Sequence, residues 1–154
     1  MLTKTTETAI QILVFLGLYD EREPVSPNEL ARHLKTSPSY TAKITGMLVK
    51  ADLLKAVRGS RGGVVLARAP EEITLLAVVE ACQGRILGDY CDGVGEVHQT
   101  CAYHQAMKEA HDAILGVMQK WTIGDLVKKP LPSEEIRSSV NCRMAVVCCG
   151  HSLT

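Results

Sequence analysis

The sequence predicts a mainly α-helical fold with one small β-hairpin and a long helix in its C-terminal half. Three observations predict it. Two short helical patterns, each opened by serine and proline, follow one another at 26–34 and 37–51. Two β-prone runs then flank a turn rich in glycine and arginine at 58–63. From Thr100 to Trp121, apolar residues recur at three- and four-residue steps.

The first predicted helix runs from Thr5 to Tyr19 and carries its apolar residues at helical spacing. Its predicted inner face consists of Ile10, Leu13, Val14, Gly17 and Leu18. We expect this helix to support the two short helices that follow. A charged linker at 20–24 separates it from them.

The two short helices are closely spaced. Ser26 and Ser37 can each cap free backbone amides, and Pro27 and Pro38 each follow at a position where no N–H is needed. Helices joined this tightly must cross, which is the helix-turn-helix geometry. The residues predicted to face inward are Leu30, Ala31 and Leu34 in the first helix and Ile44, Leu48 and Ala51 in the second.

The first turn of the second short helix is where a helix-turn-helix protein contacts base edges and phosphates. Ser39, Tyr40, Thr41 and Lys43 fall on this turn and are predicted to be exposed there. They are therefore candidate DNA-binding residues.

The predicted hairpin has strands over 53–57 and 64–66. Arg58, Ser60, Arg61 and Gly62 lie in its turn, so the hairpin can act as a wing that lies on DNA. With the two short helices, it predicts a winged helix-turn-helix domain.

The charge distribution supports this interpretation. Between Arg32 and Arg68 the chain has eight lysines and arginines against one aspartate, although its formal net charge is zero. Such a local excess is expected of a phosphate-binding surface. The alternative is a small helical domain with a solvated basic face.

Four segments carry a resemblance to a known family: SPSY at 37–40, ADLL at 51–54, VRGSRGG at 57–63 and PEEITL at 70–75. With them the chain resembles the Rrf-two (Rrf2) family of bacterial winged helix-turn-helix transcriptional regulators, of the IscR- and NsrR-like type. The resemblance extends from Leu2 to about Lys129. It implies a homodimer that binds a double-stranded DNA operator, with Arg58 as the arginine that the wing brings to the minor groove.

The C-terminal half divides into a short helix, a loop, the long helix and a tail. Thr74 can cap a helix from Leu75 to about Cys82, in which Leu76, Val79 and Cys82 face inward. The predicted organisation is therefore 1–82 for the DNA-binding domain, 83–99 for a sensor loop, 100–129 for the dimerisation helix with a short capped helix after it, and 130–154 for the tail. We expect the tail to be partly disordered or folded onto the partner subunit.

The long helix has more apolar surface than so small a domain can cover. The residues that form this surface are Ala106, Ala113, Ile114, Val117 and Met118. Pairing with the same helix of a second chain would cover them, so the sequence predicts a homodimer.

Composition narrows the class of protein. A chain of 154 residues suits one domain with a sizeable core, or a small domain with a dimerisation arm. It has no apolar run of membrane-spanning length and no cleavable signal pattern, so we expect a cytoplasmic protein. Six cysteines in that compartment are expected to be buried, metal-bound or redox-active. No nucleophile–base–acid set or phosphate loop is recognised, so an enzyme is not predicted.

Four potential metal ligands, Cys91, His98, Cys101 and His104, lie in the loop and at the start of the long helix. Cys101 and His104 are three residues apart, which places them on one helix face. A helix N-terminus also favours the thiolate, the form that binds metal. Cys82 has no ligand-type neighbours and is predicted to be a packing residue.

The resemblance implies an iron-sulfur cluster in this loop, commonly on three cysteines. Cys91 and Cys101 match the first and the last of them, and the middle one has no clear counterpart. The pair of Cys101 and His104 matches IscR-like members, and Glu7 falls where some relatives supply an acidic ligand from the partner subunit. Gln11 stands where one relative has a histidine ligand. Two cysteines with nitrogen or carboxylate partners favour a 2Fe-2S centre.

Alternatives to the cluster remain. Zinc could bind Cys91, His98, Cys101 and His104, because two thiolates and two imidazoles suit tetrahedral zinc. A redox-active thiol pair, or a loop with ordinary thiols and no cofactor, is also compatible with the residues.

Two functions from different classes follow. The first is a dimeric, DNA-binding transcriptional regulator whose operator affinity is controlled by an iron-sulfur cluster or by the redox state of the loop cysteines. The second is a cytosolic metal or iron-sulfur carrier without sequence-specific DNA binding. The basic wing favours the regulator.

Overall fold

The computed structural model describes residues 2–19, 23–59, 62–85, 100–137 and 139–148. Within these ranges the chain is mainly α-helical with one two-stranded antiparallel sheet, which confirms the predicted fold class. The elements are, in order, α1 (Lys4–Leu18), α2 (Pro27–His33), α3 (Pro38–Lys50), β1 (Leu54–Val57), β2 (Gly63–Leu66), a 3-10 turn (Pro70–Glu72), α4 (Leu75–Gln83), α5 (Ala102–Lys120), α6 (Ile123–Lys128), α7 (Glu134–Arg137) and α8 (Ala145–Cys148). In the described part of the chain, no helix combines the length and the apolar character that a membrane span needs.

Helix α1 lies at the centre of the domain. It packs against α3, α4, α6, α8, β2 and the 3-10 turn, and its apolar residues from Ala9 to Leu16 are buried. Two buried threonines in it have hydrogen-bond partners: Thr6 Oγ1 donates to Gln83 Oε1 at 2.9 Å and Thr8 Oγ1 donates to the Lys4 carbonyl oxygen at 2.9 Å. Burying polar groups is tolerated here because each hydroxyl is hydrogen-bonded.

One prediction for α1 is wrong. Leu18 was expected on the inner face, but it is exposed. The reason is that α1 is buried around its whole circumference in its middle turns, so the inner surface is not a stripe that continues to the last helical residue. Leu16 and Phe15 are buried instead.

The two short helices form as their capping residues predict. Ser26 accepts a hydrogen bond from the Glu29 backbone N–H, and Ser37 accepts one from the Tyr40 backbone N–H. Between the helices, Lys35 adopts a left-handed conformation with φ of 53°, and the Thr36 N–H donates to the Ala31 carbonyl oxygen at 2.9 Å. That bond satisfies a free carbonyl at the end of α2 and reverses the chain. The residues predicted to face inward in the two helices are buried, except that Ala51 is half-buried.

The hairpin has the predicted position and pairs Leu54 with Leu66 and Val57 with Gly63. A third segment adds to it. The Val25 N–H donates to the Val64 carbonyl oxygen at 3.1 Å, and the Val64 N–H donates to the Val25 carbonyl oxygen at 2.9 Å. The hairpin is thereby attached to the residues that lead into α2.

Helices α4 and α6 are joined at their N-terminal ends. The Leu75 N–H donates to the Trp121 carbonyl oxygen at 2.9 Å, and the Ile123 N–H donates to the Ile73 carbonyl oxygen at 2.8 Å. This pair of hydrogen bonds fixes the C-terminal end of α5 to the segment that leads into α4. The inner face of α4 differs slightly from its prediction: Val79 and Val78 are fully buried, whereas Leu76 and Cys82 are half-buried.

One part of the tail folds onto its own chain. Helix α8 packs against α1 and Val147 is buried in the core, whereas α7 is exposed. The backbone carbonyl oxygen of Arg143 accepts a hydrogen bond from Gln11 Nε2 at 2.7 Å. The apolar side chains of Met144, Val146 and Val147 provide the packing surface, which the scattered apolar pattern of the tail did not reveal.

Gly63 tests the attachment of the hairpin. A Cβ atom on Gly63 would lie 2.5 Å from the Val25 carbonyl carbon and oxygen, and backbone cannot move away as a flexible side chain can. We therefore expect Gly63→Ala to lower the free energy of unfolding by about 1 to 3 kcal/mol, the usual cost of overpacking. Urea unfolding followed by circular dichroism would measure it.

The matched control is Gly46→Ala, because a Cβ atom on Gly46, in the exposed part of α3, would meet nothing within 4 Å. Alanine is the better helix former, so this variant should gain about 0.5 to 1 kcal/mol. Equal stabilities of the two variants would contradict the close approach at Gly63.

Candidate nucleic-acid interface and metal centre

The first turns of α3 present a polar surface. Ser39 and Lys43 are exposed, as predicted, and Ala42 and Gly46 continue the exposed face toward the C-terminal end of the helix. Tyr40 is half-buried, and its hydroxyl donates to Thr5 Oγ1 at 3.3 Å, which connects α3 to α1. Small exposed residues on a helix let its backbone approach a surface closely. The positions of Ala42 and Gly46 in the sequence could have indicated such a face.

The prediction that Thr41 is exposed is wrong. Its side chain is fully buried, its Oγ1 donates to the Ser37 carbonyl oxygen at 3.1 Å, and it lies 2.7 Å from Thr36 Oγ1. The hydroxyl is therefore used to stabilise the turn between α2 and α3 and is not available to a ligand.

In the wing, Arg58 is exposed and follows directly after β1. Gly59 has a φ of 128°, which side-chain-bearing residues rarely adopt, and the Gly62 N–H donates to the Gly59 carbonyl oxygen at 3.0 Å. A Cβ atom on Gly62 would lie 2.7 Å from the Val57 carbonyl oxygen, so this turn needs glycine for its shape. Ser60 and Arg61 lie outside the described residues.

The basic side chains of this region lie on the surface. Arg32 is 3.9 Å from Glu29, and Arg68 donates to the Asp52 carbonyl oxygen at 3.2 Å. The other exposed cations form no ion pair with any residue in the described ranges: Lys35, Lys43, Lys50, Lys55 and Arg58. A surface with several unneutralised cations attracts phosphates.

Of the candidate metal ligands, the structure brings two together. Cys101 is the exposed N-cap residue of α5, and its Sγ lies 2.9 Å from His104 Nδ1. Hydrogen bonds from the backbone N–H and the ring of His104 lower the pKa of the Cys101 thiol. A thiolate beside an imidazole nitrogen is a donor pair that suits iron or zinc, so these two residues fit the proposed cofactors chemically.

The other candidate ligands do not join this pair within one chain. Glu7 lies on α1, where its Oε2 is 3.4 Å from Arg143 Nη1. Among the described residues, no three histidines, cysteines or carboxylates come close enough to hold a metal ion. Cys91 and His98 lie outside the described residues.

Other cysteines and histidines have different surroundings. Cys82 packs against the core and burial raises the pKa of its thiol, which agrees with its prediction as a packing residue. Cys142 in the tail is half-buried. His33 packs against Phe15, with ring centroids 4.9 Å apart, and the Nδ1 of His111 lies 3.5 Å from Asp112 Oδ1.

The contacts of Arg143 are not predicted by the sequence. This residue contacts both Glu7 and Gln11, which stand more than 130 positions earlier in the chain. No local pattern could have indicated the contact, because it depends on how the tail folds back. The one available signal was that Arg143 is flanked by apolar residues capable of packing.

Helix α5 extends away from the domain and is largely exposed. Its exposed apolar side chains include Tyr103, Val117 and Ala113, and Trp121 follows as its C-cap. Met118, which was counted among the uncovered apolar residues, is instead buried within its own chain. It lies at the end of α5 that is fixed to α4, which explains the difference.

The sequence matches a known protein family and several known proteins. The sequence model of the Rrf2 family, described as iron-dependent transcriptional regulator, matches residues 2–129. Among curated proteins, the chain is similar to protein aau3 of Rhizobium meliloti, with 35% identity over 131 residues that cover 82% of this chain and 84% of that protein. It is also similar to the HTH-type transcriptional regulator NsrR of Geobacillus kaustophilus, with 31% identity over 131 residues that cover 82% of this chain and 89% of that protein.

Solved structures share the fold. CymR, the global cysteine regulator of B. subtilis, superposes with a TM-score of 0.70 and 23% identity, covering 83% of this chain and 96% of that chain. T. potens IscR superposes with a TM-score of 0.69 and 22% identity, covering 87% of this chain and 90% of that chain. The family model covers most of the sequence and the relatives are matched over most of their length, so the chain belongs to the Rrf2 family of transcriptional regulators.

Proposed function

We propose that this protein is a dimeric, DNA-binding transcriptional regulator whose operator affinity depends on an iron-sulfur cluster, most simply a 2Fe-2S cluster. The observation that carries the proposal is the exposed basic surface formed by the start of α3 and by Arg58 in the wing. Family membership supports it, because NsrR of Geobacillus kaustophilus is an HTH-type transcriptional regulator. Such a protein would act on chromosomal DNA in the cytoplasm.

The contacts with DNA are proposed to come from two elements. The N-terminal end of α3 is the positive end of the helix dipole, and Ser39 and Lys43 are exposed beside it. This end would enter the major groove, while the wing would bring Arg58, with Ser60 and Arg61, to the neighbouring minor groove. Tyr40 would support α3 through its hydrogen bond to Thr5 and offer its ring edge to DNA.

Dimerisation is proposed to occur along α5. The helix has 19 residues and is about 28 Å long, and Val117 and Trp121 at its C-terminal end are 55% and 46% exposed. Apolar side chains this large are costly to leave in water, and a second copy of the same helix would cover them. In such a dimer, the two α3 helices must be spaced to match one turn of DNA, about 34 Å.

The proposed cluster would be held by Cys101 and His104 at the start of α5, by Cys91 in the sensor loop, and by Glu7 from the partner subunit. When bound, the cluster would supply a charge that changes when the cluster is oxidised or lost. The chain's own contribution is the thiolate of Cys101, which His104 stabilises, and a carboxylate on the helix that supports α3. Because these donors lie on different elements, their joint use would relate the arm of one chain to the DNA-binding domain of the other.

Arg58 provides the first test of DNA binding. We expect Arg58→Ala to weaken binding to a pseudo-palindromic duplex, selected by the protein itself from a random pool, by about 1 to 3 kcal/mol. The loss is expected because alanine lacks the exposed guanidinium, which forms no ion pair with any described residue and would reach the minor groove. A mobility-shift titration at fixed salt would measure it.

The matched control is Arg137→Ala, which removes the same charge from the exposed helix α7 in the tail. Its affinity for the same duplex should equal that of the wild type. Equal losses in the two variants would show that only net charge matters and would count against a wing contact.

The dimer is tested by Val117→Asp. A carboxylate in the proposed interface would remain unpaired and poorly hydrated, so the dimer should dissociate at least tenfold more readily. Sedimentation velocity at micromolar concentration would show a smaller average mass. Gln119→Asp is the control, because at 100° per residue Gln119 lies on the other side of α5. A wild-type protein that sediments as a monomer would refute the proposed interface.

The cluster is tested by the visible absorption of anaerobically purified protein. The wild type should be coloured, and Cys101→Ser should lose the colour because the oxygen replaces an essential thiolate ligand. Cys82→Ser, which changes a packing thiol, should retain it. A colourless wild type with bound zinc would support the zinc site instead, and a colourless metal-free protein would exclude both.

A further inference from the structure

The C-terminal segment 139–148 covers one face of α1. Val147 is buried in the core, and Met144 and Val146 pack beside it. Arg143 is attached to α1 at two points: its carbonyl oxygen accepts from Gln11 Nε2 at 2.7 Å, and its Nη1 lies 3.4 Å from Glu7 Oε2. The segment therefore contacts two of the polar side chains that α1 presents on this face.

This segment lies outside the region that the family model matches. That region ends at residue 129, whereas Arg143 reaches back from the tail to Glu7 and Gln11 on α1.

The tail also forms one wall of a cleft. The cleft has a volume of about 940 Å³ and extends from α1 to the turn between α2 and α3, with Lys35 and Tyr40 on its far side. Among the described residues that line it, Lys4, Lys35 and Arg143 are cations and Glu7 is the only carboxylate. With the tail in place, the surroundings of Glu7 are therefore unfavourable for a metal cation.

The contact between Arg143 and Glu7 is suited to exchange. The Arg143 side chain is 75% exposed, and an ion pair this accessible to water is weak. The apolar contacts of Val147 hold the segment near α1, while the guanidinium can leave the carboxylate at little cost. Segment 139–148 is therefore held near α1 by apolar contacts, while its ion pair with Glu7 is readily broken.

We propose that segment 139–148 is a latch on α1 that competes with the metal site for Glu7. The inference rests on the proposed function, which takes Glu7 as a ligand of the partner subunit's cluster. In the latched state Arg143 pairs with the Glu7 carboxylate and its carbonyl oxygen accepts from Gln11, so both side chains are occupied by the tail. In the unlatched state Glu7 is free to bind metal, and the tail loses its polar attachment to α1.

The competition has a definite thermodynamic consequence. A ligand shifts an equilibrium only by binding its two states differently, and here the metal site can use Glu7 only in the unlatched state. Weakening the latch must therefore strengthen retention of the cluster, and loading the cluster must loosen the tail. If Arg143 instead oriented Glu7 for the metal, its removal would weaken retention.

The first arm of the test uses the metal-free protein. Hydrogen exchange of segment 139–148 should be faster in Arg143→Ala than in the wild type, with no change in α3. Arg137→Ala is the control, because Arg137 donates to the Pro132 carbonyl oxygen within the tail. Arg143→Lys should retain part of the protection, since it keeps the charge. Unchanged exchange in Arg143→Ala would overturn the latch.

The second arm uses anaerobically purified, coloured protein and follows loss of visible absorption in the presence of a chelator. Arg143→Ala should lose its colour roughly two- to fivefold more slowly than the wild type, because an exposed ion pair is a weak competitor. In a Glu7→Gln background, Arg143→Ala should have no effect. Faster or unchanged loss in Arg143→Ala would overturn the competition.

The two failures are distinguishable. A wild type without visible absorption refutes the cluster in the proposed function and, with it, the competition for Glu7. A coloured wild type whose retention does not respond to Arg143→Ala leaves the proposed function intact and refutes the latch alone.

Discussion

The structure depends on the burial of one helix on all sides. Helix α1 contacts α3, α4, α6, α8, β2 and the 3-10 turn, and its two buried threonines are tolerated only because each hydroxyl has a partner. Among the described residues, one core cluster includes side chains from α1, α3, α4 and α8. Because α3, α4 and α8 each pack on α1, a displacement of α1 must affect all three.

The turn between α2 and α3 is held by polar contacts. Thr41 and Thr36 share a hydrogen bond inside the turn, Lys35 accepts a left-handed conformation, and Tyr40 reaches Thr5 on α1. These contacts fix the direction in which α3 leaves the turn. The exposed residues of α3 consequently take no part in these contacts and remain accessible to solvent.

Local signals predicted most of the fold. Serine followed by proline marked the starts of α2 and α3, and the glycines of the wing marked a turn that requires them. Thr41 shows where such signals are insufficient: it lies at core spacing with Ile44 and Leu48, but its hydroxyl made it look exposed. Contacts between distant positions, such as Arg143 with Glu7, have no local signature. Among the described residues only Cys101 and His104 of the predicted ligands lie together, so the ligand spacing in the sequence did not predict a complete site within these ranges.

The contact of Val25 with Val64 also affects how the hairpin behaves toward other molecules. A two-stranded sheet has two open edges, each a template for pairing with strands of another chain. In this protein, Val25 occupies hydrogen-bonding groups on the outer edge of β2, and the exposed part of β1 carries the charged Lys55. The hairpin is thus protected against edge-to-edge association while Arg58 beside its turn stays exposed, so an extended surface structure need not become a site of aggregation.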